Sequence, residues 1–409
     1  MFIKELSLND YNTFVENNII GNFYQSINYA MLKAEDGYDY EFIGLFENNK
    51  ILAAALILFK KIGNHYYGYS PRGFLIDYSN VYLLESFTQL IKDYYKKKNF
   101  AFIKINPEIA ISKLNKKTLN FEYNENYNII NNLTRCGYKK LKNNMNFESL
   151  LPRINAIVDL ENLTIEKLGK NTRNKVKKGE RKGLTLEKVG ASKINIIYNF
   201  LNNIKSFNKN KFYFDNFYNV FNKSNNIDYF VVKVDYKKYL INSQKYYNYE
   251  LQINNYLNRK IINNNTSNII NSKMQSDKAL LAYKNDIAEA SKYINTNEET
   301  YVAAAMVIKY ENRIAIKISG YDNYLKRYPS NYFLYYSILN YYKNDYKYAD
   351  LNGVTGDFSV NNPYHGLNRF KMSFNPEIYE YIGEFDLIIN EQQYNHLLKN
   401  GSLAKEFNK

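Results

Sequence analysis

Short apolar runs alternate with amphipathic helical segments in the first part of this chain. The pattern predicts four strands, at Glu41–Phe46, Ile51–Lys60, Tyr66–Ser70 and Ala101–Asn106. Between the third and fourth strands it predicts a helix over Leu83–Lys98, because apolar residues recur there every three or four positions. This order of elements predicts an α/β fold class.

The same kind of pattern returns near the C-terminus. Strands are predicted at Thr300–Lys309, Ile314–Ser319 and Tyr346–Leu351, around a helix over Ser330–Lys343. Two α/β halves of similar order suggest an internal duplication, although no repeat is visible at the level of single residues.

A long polar segment without Gly or Pro, Asp235–Thr296, separates the two halves. Its apolar residues recur at sums of three and four around a turn at Asn263–Asn268, which predicts two antiparallel helices. Each helix of about 27 residues would be roughly 40 Å long, so we expect an arm that projects from the body. The alternative is a disordered, Asn-rich insertion. The predicted inner stripe of the arm contains Leu240, Tyr247, Leu251, Ile262, Ile270, Met274, Leu281 and Ala288.

The charge balance adds a class of partner to this picture. The chain has 409 residues, enough for two or three domains. It carries 55 Lys and Arg against 40 Asp and Glu, a net charge of +15, which favours binding to polyanions. Cys136 is the only cysteine, so no intrachain disulfide can form, and no Cys and His cluster has the spacing of zinc ligands. This composition fits a reducing compartment.

The sequence also predicts where the protein works. Acidic residues interrupt the first ten positions, where an export signal would need an uninterrupted apolar core. The longest apolar run, Ile51–Phe59, has nine residues, about half the length of a membrane-spanning helix. We therefore expect a cytoplasmic protein that contacts a membrane at most peripherally.

The densest charge in the chain lies in the segment G-K-N-T-R-N-K-V-K-K-G-E-R-K, Gly169–Lys182, with seven cations and one acid. Such a segment can neutralise several phosphates of a nucleic acid. Alternatively, it is the solvated face of a helix. The candidate nucleic-acid-binding residues are Lys170, Arg173, Lys175, Lys177, Lys178, Arg181 and Lys182.

Two glycine-bearing regions follow predicted strands. The segment Y-G-Y-S-P-R-G places Arg72 where it could meet an anionic ligand, and G-V-T-G-D followed by G-L-N-R-F-K places Lys371 beside a cleft. Each is equally compatible with a plain turn. Neither is a phosphate-binding P-loop, and no Ser or Cys lies in a setting typical of a covalent nucleophile. We expect no cofactor and no metal.

Taken together and in order, these segments resemble the Fem family (FemABX) of peptidoglycan-bridge aminoacyltransferases. The resemblance covers nearly the whole chain. Its most specific part is Asp350–Asp386, where D-L-N-G-V-T-G-D-F, G-L-N-R-F-K-M-S-F and E-Y-I-G-E-F-D occur in family order. Further motifs of the family lie at Phe23–Ala30, Tyr69–Tyr78 and Phe102–Pro107.

The resemblance implies a fold of two GNAT-like subdomains with an antiparallel coiled-coil arm inserted in the second. On this basis we place the first subdomain at 1–150, the second at 151–234 and 298–409, and the arm at 235–297. No CoA-type pyrophosphate loop is visible in the chain, which argues against an ordinary acetyltransferase.

The resemblance also implies a reaction. Family members take an amino acid from aminoacyl-tRNA and attach it to an amine on the stem peptide of a cell-wall precursor, commonly lipid II, at the inner face of the membrane. Two alternatives stay open: the same donor with an acceptor outside the wall, and an inactive module that binds tRNA or a wall-synthesis complex.

The G-L-x-x-F-K motif of the family implies a catalytic pair at Phe370 and Lys371. The Lys371 ammonium would stabilise the oxyanion that forms when the amine attacks the aminoacyl ester. In the alternative interpretation, Lys371 merely pairs with Asp357 or Glu377.

For the precursor, the resemblance implies a diphosphate-binding cation at Lys33 and a second one at Lys205. Arg72 and Tyr69 would line the same cleft. Many relatives have Asp, considered as a general base, at the position of Asn106. An Asn side chain does not accept a proton at neutral pH, so the base lies elsewhere or none is needed, which favours proton transfer assisted by the substrate.

Overall fold

The structure is a computed structural model, and it describes residues 1–17, 22–147, 150–202, 211–263, 266–296, 299–322 and 327–399. Lys205, one of the predicted substrate-binding residues, lies outside the described residues.

The described residues form a mixed α/β fold. The strands are β1 (Phe2–Glu5), β2 (Asp39–Glu47), β3 (Lys50–Ile62), β4 (His65–Ser70), β5 (Phe100–Ile105), β6 (Ala110–Leu114), β7 (Phe121–Tyr123), β8 (Tyr138–Lys140), β9 (Ile154–Asp159), β10 (Leu184–Val189), β11 (Ile227–Val234), β12 (Tyr301–Tyr310), β13 (Arg313–Tyr321), β14 (Tyr348–Gly353), β15 (Glu377–Tyr381) and β16 (Phe385–Ile388). The α-helices are α1 (Leu8–Glu16), α2 (Ile27–Glu35), α3 (Val81–Lys96), α4 (Ile129–Arg135), α5 (Lys170–Arg181), α6 (Ile194–Asn202), α7 (Lys211–Asn222), α8 (Tyr236–Asn263), α9 (Ser267–Tyr293), α10 (Ser330–Tyr342), α11 (His365–Met372) and α12 (Glu391–Lys399).

The strands form two sheets. The first has seven strands in the order β1-β2-β3-β4-β5-β16-β8, and the second has nine in the order β10-β11-β12-β13-β14-β9-β15-β6-β7. Each sheet contains one parallel pair, β4 with β5 and β13 with β14, and a helix connects the two strands of each pair. The predicted α/β class is confirmed. The predicted strands and the two helices predicted outside the arm, Leu83–Lys98 and Ser330–Lys343, begin and end within about two residues of the observed ones.

Each sheet includes strands from the other part of the chain. β6 and β7 precede position 150 but belong to the second sheet, where β6 pairs with β15 and β7 pairs with β6. β16 belongs to the C-terminal part of the chain but pairs with β5 and β8 in the first sheet. A cut at position 150 therefore divides residues that share a sheet, and the domain bounds given above stay a prediction.

The two halves also share a hydrophobic core. Tyr29 and Leu56 of the first half pack in one buried cluster with Phe217, Tyr229 and Met306 of the second. Burial of apolar surface across both sheets fixes their relative placement, so loops from both halves can build one site.

The inserted arm is an antiparallel pair of helices, α8 and α9, as predicted. Its predicted inner stripe is wrong, since Ile262 is 83% exposed and Leu281 is 62% exposed. The remaining stripe residues Leu251, Ile270, Met274 and Ala288 are exposed as well, while Leu240 and Tyr247 are partly buried.

Polar residues occupy the buried seam of the arm instead. Asn254 donates hydrogen bonds to Ser276 Oγ at 3.1 Å and to Asp277 Oδ1 at 2.9 Å, and Ser243 is fully buried. Small and hydrogen-bonded side chains let the two helices approach closely. The spacing of apolar residues alone does not predict such a polar seam.

The base of the arm is fixed to α5 by a buried ionic group that we call the arm latch: Arg181, Lys182, Tyr239 and Asp286. Asp286 pairs with Arg181 and, at 2.8 Å, with Lys182, and it accepts a hydrogen bond from Tyr239 at 2.8 Å. Lys182 also donates to the Tyr239 hydroxyl at 2.6 Å. Because Lys182 and Asp286 are buried, these charges depend on one another for compensation.

Replacing Asp286 by Asn should lower the free energy of unfolding by about 3 kcal/mol, because the change removes the carboxylate that pairs with both Arg181 and Lys182 and leaves Lys182 with the more distant Glu289, at 3.9 Å. Urea unfolding together with amide hydrogen exchange at the base of α8 and α9 measures the effect. Asp277→Asn is the matched control, since Asp277 is half exposed and its pair with Lys273 is worth about 0.5 kcal/mol or less. Equal losses in both variants would contradict a structural role of the latch.

Candidate functional site

The loop after β4 is held in place by Gln25, from the F-Y-Q-S motif. The Gln25 side chain accepts a hydrogen bond from the Leu56 N–H at 3.0 Å and donates one to the Pro71 carbonyl at 2.5 Å. A Cβ atom at Gly73 would lie 2.8 Å from Gln25 Nε2, so the loop packs too closely for any larger residue there. The two motifs therefore form one rigid unit that carries Arg72.

Arg72 lies at the junction of the two halves and is 3% exposed. Its backbone has a φ of 54°, a left-handed conformation unusual for a residue other than Gly. Its guanidinium donates to the Pro152 carbonyl at 2.7 Å, lies 3.8 Å from Glu108 and covers the ring of Tyr381. The predicted role of Arg72 in substrate binding stays a prediction.

Asn106 stabilises this loop as a hydrogen-bond acceptor. Its Oδ1 accepts from the Arg72 N–H at 2.8 Å and from the Tyr69 hydroxyl at 3.3 Å. Its Nδ2 is buried and has no hydrogen-bond partner among the described residues. Burial raises the pKa of Tyr69 well above its ordinary value, so this hydroxyl stays protonated. Asn106 therefore fixes the Arg72 loop, and this structural role does not depend on which group acts as the general base.

Lys33 lies on α2 beside an aromatic cluster formed by Phe23, Tyr24 and Tyr29. It pairs with Asp36 at 2.7 Å, and its ammonium lies 5.9 Å from the centre of the Tyr29 ring. Its side chain is a quarter exposed, so it remains accessible to an anionic ligand. Its predicted role stays a prediction.

A second cation reaches the same aromatic cluster from the other half. Lys317 donates to the Tyr24 hydroxyl at 2.9 Å and lies over the rings of Phe23 and Tyr24. It is the extra residue of a β-bulge, since Ile316 pairs with Val307 and Ile318 with Met306. Lys317 was not predicted from the sequence, although a Lys within the run I-A-I-K-I is an interruption that could have indicated it.

Lys371 lies in the last turn of α11 and is 6% exposed. Its ammonium donates a hydrogen bond to the Gly353 carbonyl, at the end of β14, at 2.6 Å. Burial lowers the pKa of Lys371 to about 8, and the nearby Asp350 carboxylate limits the fall. The proposed alternative partners do not contact it: Glu377 pairs with Lys113 and Lys116, and Asp357 accepts from the Ser359 N–H.

The G-V-T-G-D loop and the G-L-N-R-F-K helix are fixed to each other by Asn368. Its side chain accepts from the Thr355 N–H at 3.0 Å and donates to Thr355 Oγ1 at 2.7 Å. Both residues are buried. Consequently the end of β14 and the start of α11 move as one body, and Lys371 keeps its place opposite Gly353.

Two cavities flank α11. One, of about 850 Å³, is lined by Phe370 together with Lys175 and Lys178 of α5. The other, of about 520 Å³, is lined by Arg369 and Lys170. Tyr332 lines both cavities, so they adjoin along the surface between the two helices, which we call the α5–α11 groove.

Phe370 forms part of an aromatic wall of the larger cavity. Its ring packs edge-on against Tyr332 at 5.1 Å, Tyr335 at 4.9 Å and Phe374 at 5.3 Å between ring centres. Phe370 lines the larger cavity, whereas Lys371, the next residue of α11, is buried and lines neither of the two cavities.

The seven predicted cations of the basic segment divide into two groups. Lys170, Lys177 and Lys178 are exposed, Arg173 donates to the Glu166 carbonyl, and the Lys175 ammonium lies 4.0 Å from the centre of the Tyr332 ring. Partial desolvation of its ammonium and the positive charges of the nearby Lys182 and Arg181 lower the pKa of Lys178. Arg181 and Lys182, by contrast, take part in the arm latch.

A largely buried ionic group, the central cluster, lies between the Arg72 loop and Lys371. It consists of Arg72, Glu108, Asn155, Arg313 and Asp350, and it surrounds a cavity of about 20 Å³, room for about one water molecule. Arg313 pairs with Glu108 at 2.5 Å, and Asp350 accepts from Asn155 Nδ2 at 2.8 Å. The sequence did not reveal these residues as a group, because they come from five separate segments.

In the part of the chain that the structure describes, neither a group of metal-binding side chains nor a membrane-spanning helix is found. These residues contain no group of three or more His, Cys, Asp or Glu side chains that could hold a metal ion. None of the helices traced there is both long enough and apolar enough to cross a membrane.

Comparisons with known proteins agree on one relationship. The model of the FemAB family matches residues 6–399. The chain is 23% identical to the Lipid II:glycine glycyltransferase of Staphylococcus epidermidis, over 95% of this chain and 93% of that protein. It is 22% identical to Aminoacyltransferase FemA of Staphylococcus aureus, over 96% of this chain and 97% of that protein.

A solved structure has the same fold. The crystal structure of FemX superimposes with a TM-score of 0.74 and 19% sequence identity, over 97% of this chain and all of that chain. The likeness extends over nearly the whole chain, which agrees with the family fold expected from the motifs.

The titration of Lys371 should appear in the stability of the protein. Between pH 8 and 10.5 the unfolded chain binds more protons at this residue than the folded chain, so stability rises with pH in that window. The difference in unfolding free energy between the wild type and Lys371→Met should rise by about 2 kcal/mol from pH 7 to 9.5. Urea unfolding at several pH values measures it.

Lys113→Met is the control for this titration. Lys113 is half exposed and its hydrogen bond to Glu377 raises its pKa, so its contribution should stay constant over the same range. A Lys371 difference that is equally flat would contradict a buried ammonium.

Proposed function

Because the chain belongs to the FemAB family, we propose that it is an aminoacyltransferase that extends the stem peptide of lipid II, with aminoacyl-tRNA as the donor. The observation that carries this proposal is the buried Lys371 ammonium, held on the Gly353 carbonyl and next in sequence to Phe370, which lines a large cavity. The named relatives, a lipid II glycyltransferase and FemA, support the reaction class.

The reaction requires little covalent help from the protein. The aminoacyl ester is already activated, so the neutral acceptor amine attacks its carbonyl carbon, a C–N bond forms, and the bond to the ribose oxygen breaks. The amine proton leaves with the ribose oxygen or to solvent. What the enzyme must supply is placement of the two substrates and stabilisation of the tetrahedral oxyanion.

Lys371 is suited to the second task. Its ammonium has three N–H donors, of which Gly353 takes one, so two remain for the oxyanion. A pKa of about 8 keeps the ammonium largely charged at neutral pH. In a site with little water, such a charge stabilises an oxyanion more strongly than it would in solution.

The α5–α11 groove is suited to the 3′ end of the donor tRNA. Lys170, Lys175 and Lys178 of α5 extend over about 12 Å along it, and Arg369 adds a cation from α11. Tyr332 offers a ring on which a base can stack. A single strand that follows these cations would reach the cavity wall at Phe370, beside Lys371.

The precursor would bind from the first half of the molecule. Lys33 and the neighbouring aromatic cluster offer a cation and flat apolar rings, which fit a diphosphate and the groups attached to it. A lipid-linked acceptor requires peripheral contact with the inner face of the membrane, where we place the protein. The tRNA donor and this contact rest on the family and on the charge of the surfaces.

The reaction is tested by incubating the purified protein with lipid II and a mixture of radiolabelled aminoacyl-tRNAs. We expect label to enter the lipid fraction from one amino acid. Lys371→Met should lower kcat by about 100-fold or more, since it removes an oxyanion donor, whereas Lys113→Met should leave kcat unchanged. Binding of charged tRNA without any transfer to lipid II would contradict the proposed reaction.

The groove is tested through salt dependence. Replacing Lys170, Lys175 and Lys178 together by Ala should raise the KM for aminoacyl-tRNA. It should also flatten the plot of log affinity against log salt by about 0.7 for each lost phosphate contact. Fluorescence anisotropy of charged tRNA measures the slope. The matched control replaces three exposed lysines elsewhere, Lys61, Lys96 and Lys97, with the same loss of charge. Equal slopes for both triple variants would exclude the groove as the tRNA site.

A further inference from the structure

The end of β14 is an irregular turn built by side chains of the D-L-N-G motif. Asp350 Oδ1 accepts a hydrogen bond from the Asn352 N–H at 2.6 Å, and Asn352 has a φ of 69°. Asn352 Oδ1 accepts from the Gly353 N–H at 2.8 Å, while its Nδ2 donates to the Lys317 carbonyl at 3.2 Å. The pairing of β14 with β9 shifts register between Asp350 and Gly353.

This turn determines where the Gly353 carbonyl points. A Cβ atom at Gly353 would lie 2.5 Å from Pro152, so the backbone is pressed against that residue and cannot carry a side chain. The carbonyl of this fixed residue is the hydrogen-bond acceptor of Lys371. The shape of the turn is thus transmitted directly to the ammonium.

The Asp350 carboxylate also acts on Lys371 by its charge. Its Oδ2 accepts from Asn155 Nδ2 at 2.8 Å, and the charged or titratable groups that face it are Glu108, Arg313, Tyr381 and Lys371 itself. Burial and the charge of Glu108 raise the pKa of Asp350, while Asn352, Asn155 and Lys371 favour its ionised form. Asp350 is the carboxylate whose field stabilises the Lys371 ammonium.

We propose that Asp350 is the positioning residue for Lys371: it shapes the turn that presents the Gly353 carbonyl, and its carboxylate keeps the buried ammonium charged. The inference deepens the proposed function and rests on it only for the role of Lys371 in transfer. The coupling between Asp350 and Lys371 can be measured without any substrate.

The substitution Asp350→Asn distinguishes the effect of the carboxylate charge from the effect of the turn at the end of β14. The amide oxygen can still accept from the Asn352 N–H, so the turn is retained. Asn155 Oδ1 is buried without a partner among the described residues, so a flip of the Asn155 amide gives the NH₂ group introduced by the substitution an acceptor. The variant should therefore fold. The matched control is Asp357→Asn, which removes an exposed carboxylate from the neighbouring loop.

The measurement is the pH titration of Lys371 by NMR, followed through the ¹³Cε shift of labelled lysines and assigned by the loss of one signal in Lys371→Met. We expect a midpoint near about 8 in the wild type. In Asp350→Asn it should be lower by about one pH unit, because an opposite charge has been removed. Asp357→Asn should leave it unchanged. The alkaline limb of the kcat profile for transfer should move by the same amount.

An unchanged Lys371 midpoint in Asp350→Asn would overturn the inference, whatever the transfer assay shows. If the wild type transfers nothing to lipid II, the proposed function fails, while the titration still decides whether Asp350 and Lys371 are coupled.

Asp350→Glu is the second variant: it keeps the charge but displaces the carboxylate from the Asn352 N–H. It should keep the midpoint within about half a unit and lower kcat with little change in KM. Full transfer by both variants would also overturn the inference.

Discussion

The hydrogen bond from the Lys371 ammonium to the Gly353 carbonyl is the constraint on which the rest of the site depends. A buried ammonium is costly to place, and it is tolerated here because a fixed carbonyl and a nearby carboxylate compensate it. Neither group belongs to the helix that carries Lys371. The strand β14, its irregular end and the helix α11 must therefore be assembled as one unit, and Asn368 joins them through Thr355.

The remainder of the fold supplies rigidity to this unit. Each sheet contains strands from the other part of the chain, and the two halves share a hydrophobic core. A largely buried ionic cluster also lies between them. The junction therefore has little conformational freedom. The arm is attached by the ionic group at the end of α5 and by Tyr236, Tyr239 and Ala290, which pack in a buried hydrophobic cluster of the body. The same basic helix thus has two roles: its first turns carry exposed cations beside the cavities, and its last residues hold the arm.

Much of this could be predicted from the sequence, and the exceptions have physical reasons. Strand and helix periods predicted the α/β class. The family motifs pointed to Phe370 and Lys371, whose catalytic roles stay a prediction. The arm was found from its length, but its seam was not, because Asn254 and Ser276 stabilise it by hydrogen bonds rather than by apolar surface. The central cluster was missed because Glu108, Arg313 and Asp350 meet only after the two sheets have formed.

Proximity of Lys371 to the reacting carbonyl is the central claim, and a structure of the complex tests it most directly. The ligand would be a short RNA that ends in a phosphonate, a stable mimic of the tetrahedral intermediate. We expect a phosphonate oxygen at about 3 Å from Lys371 Nζ, with the hydrogen bond to Gly353 retained and the RNA strand in the α5–α11 groove. A phosphonate bound by other donors, with Lys371 still covered, would contradict it.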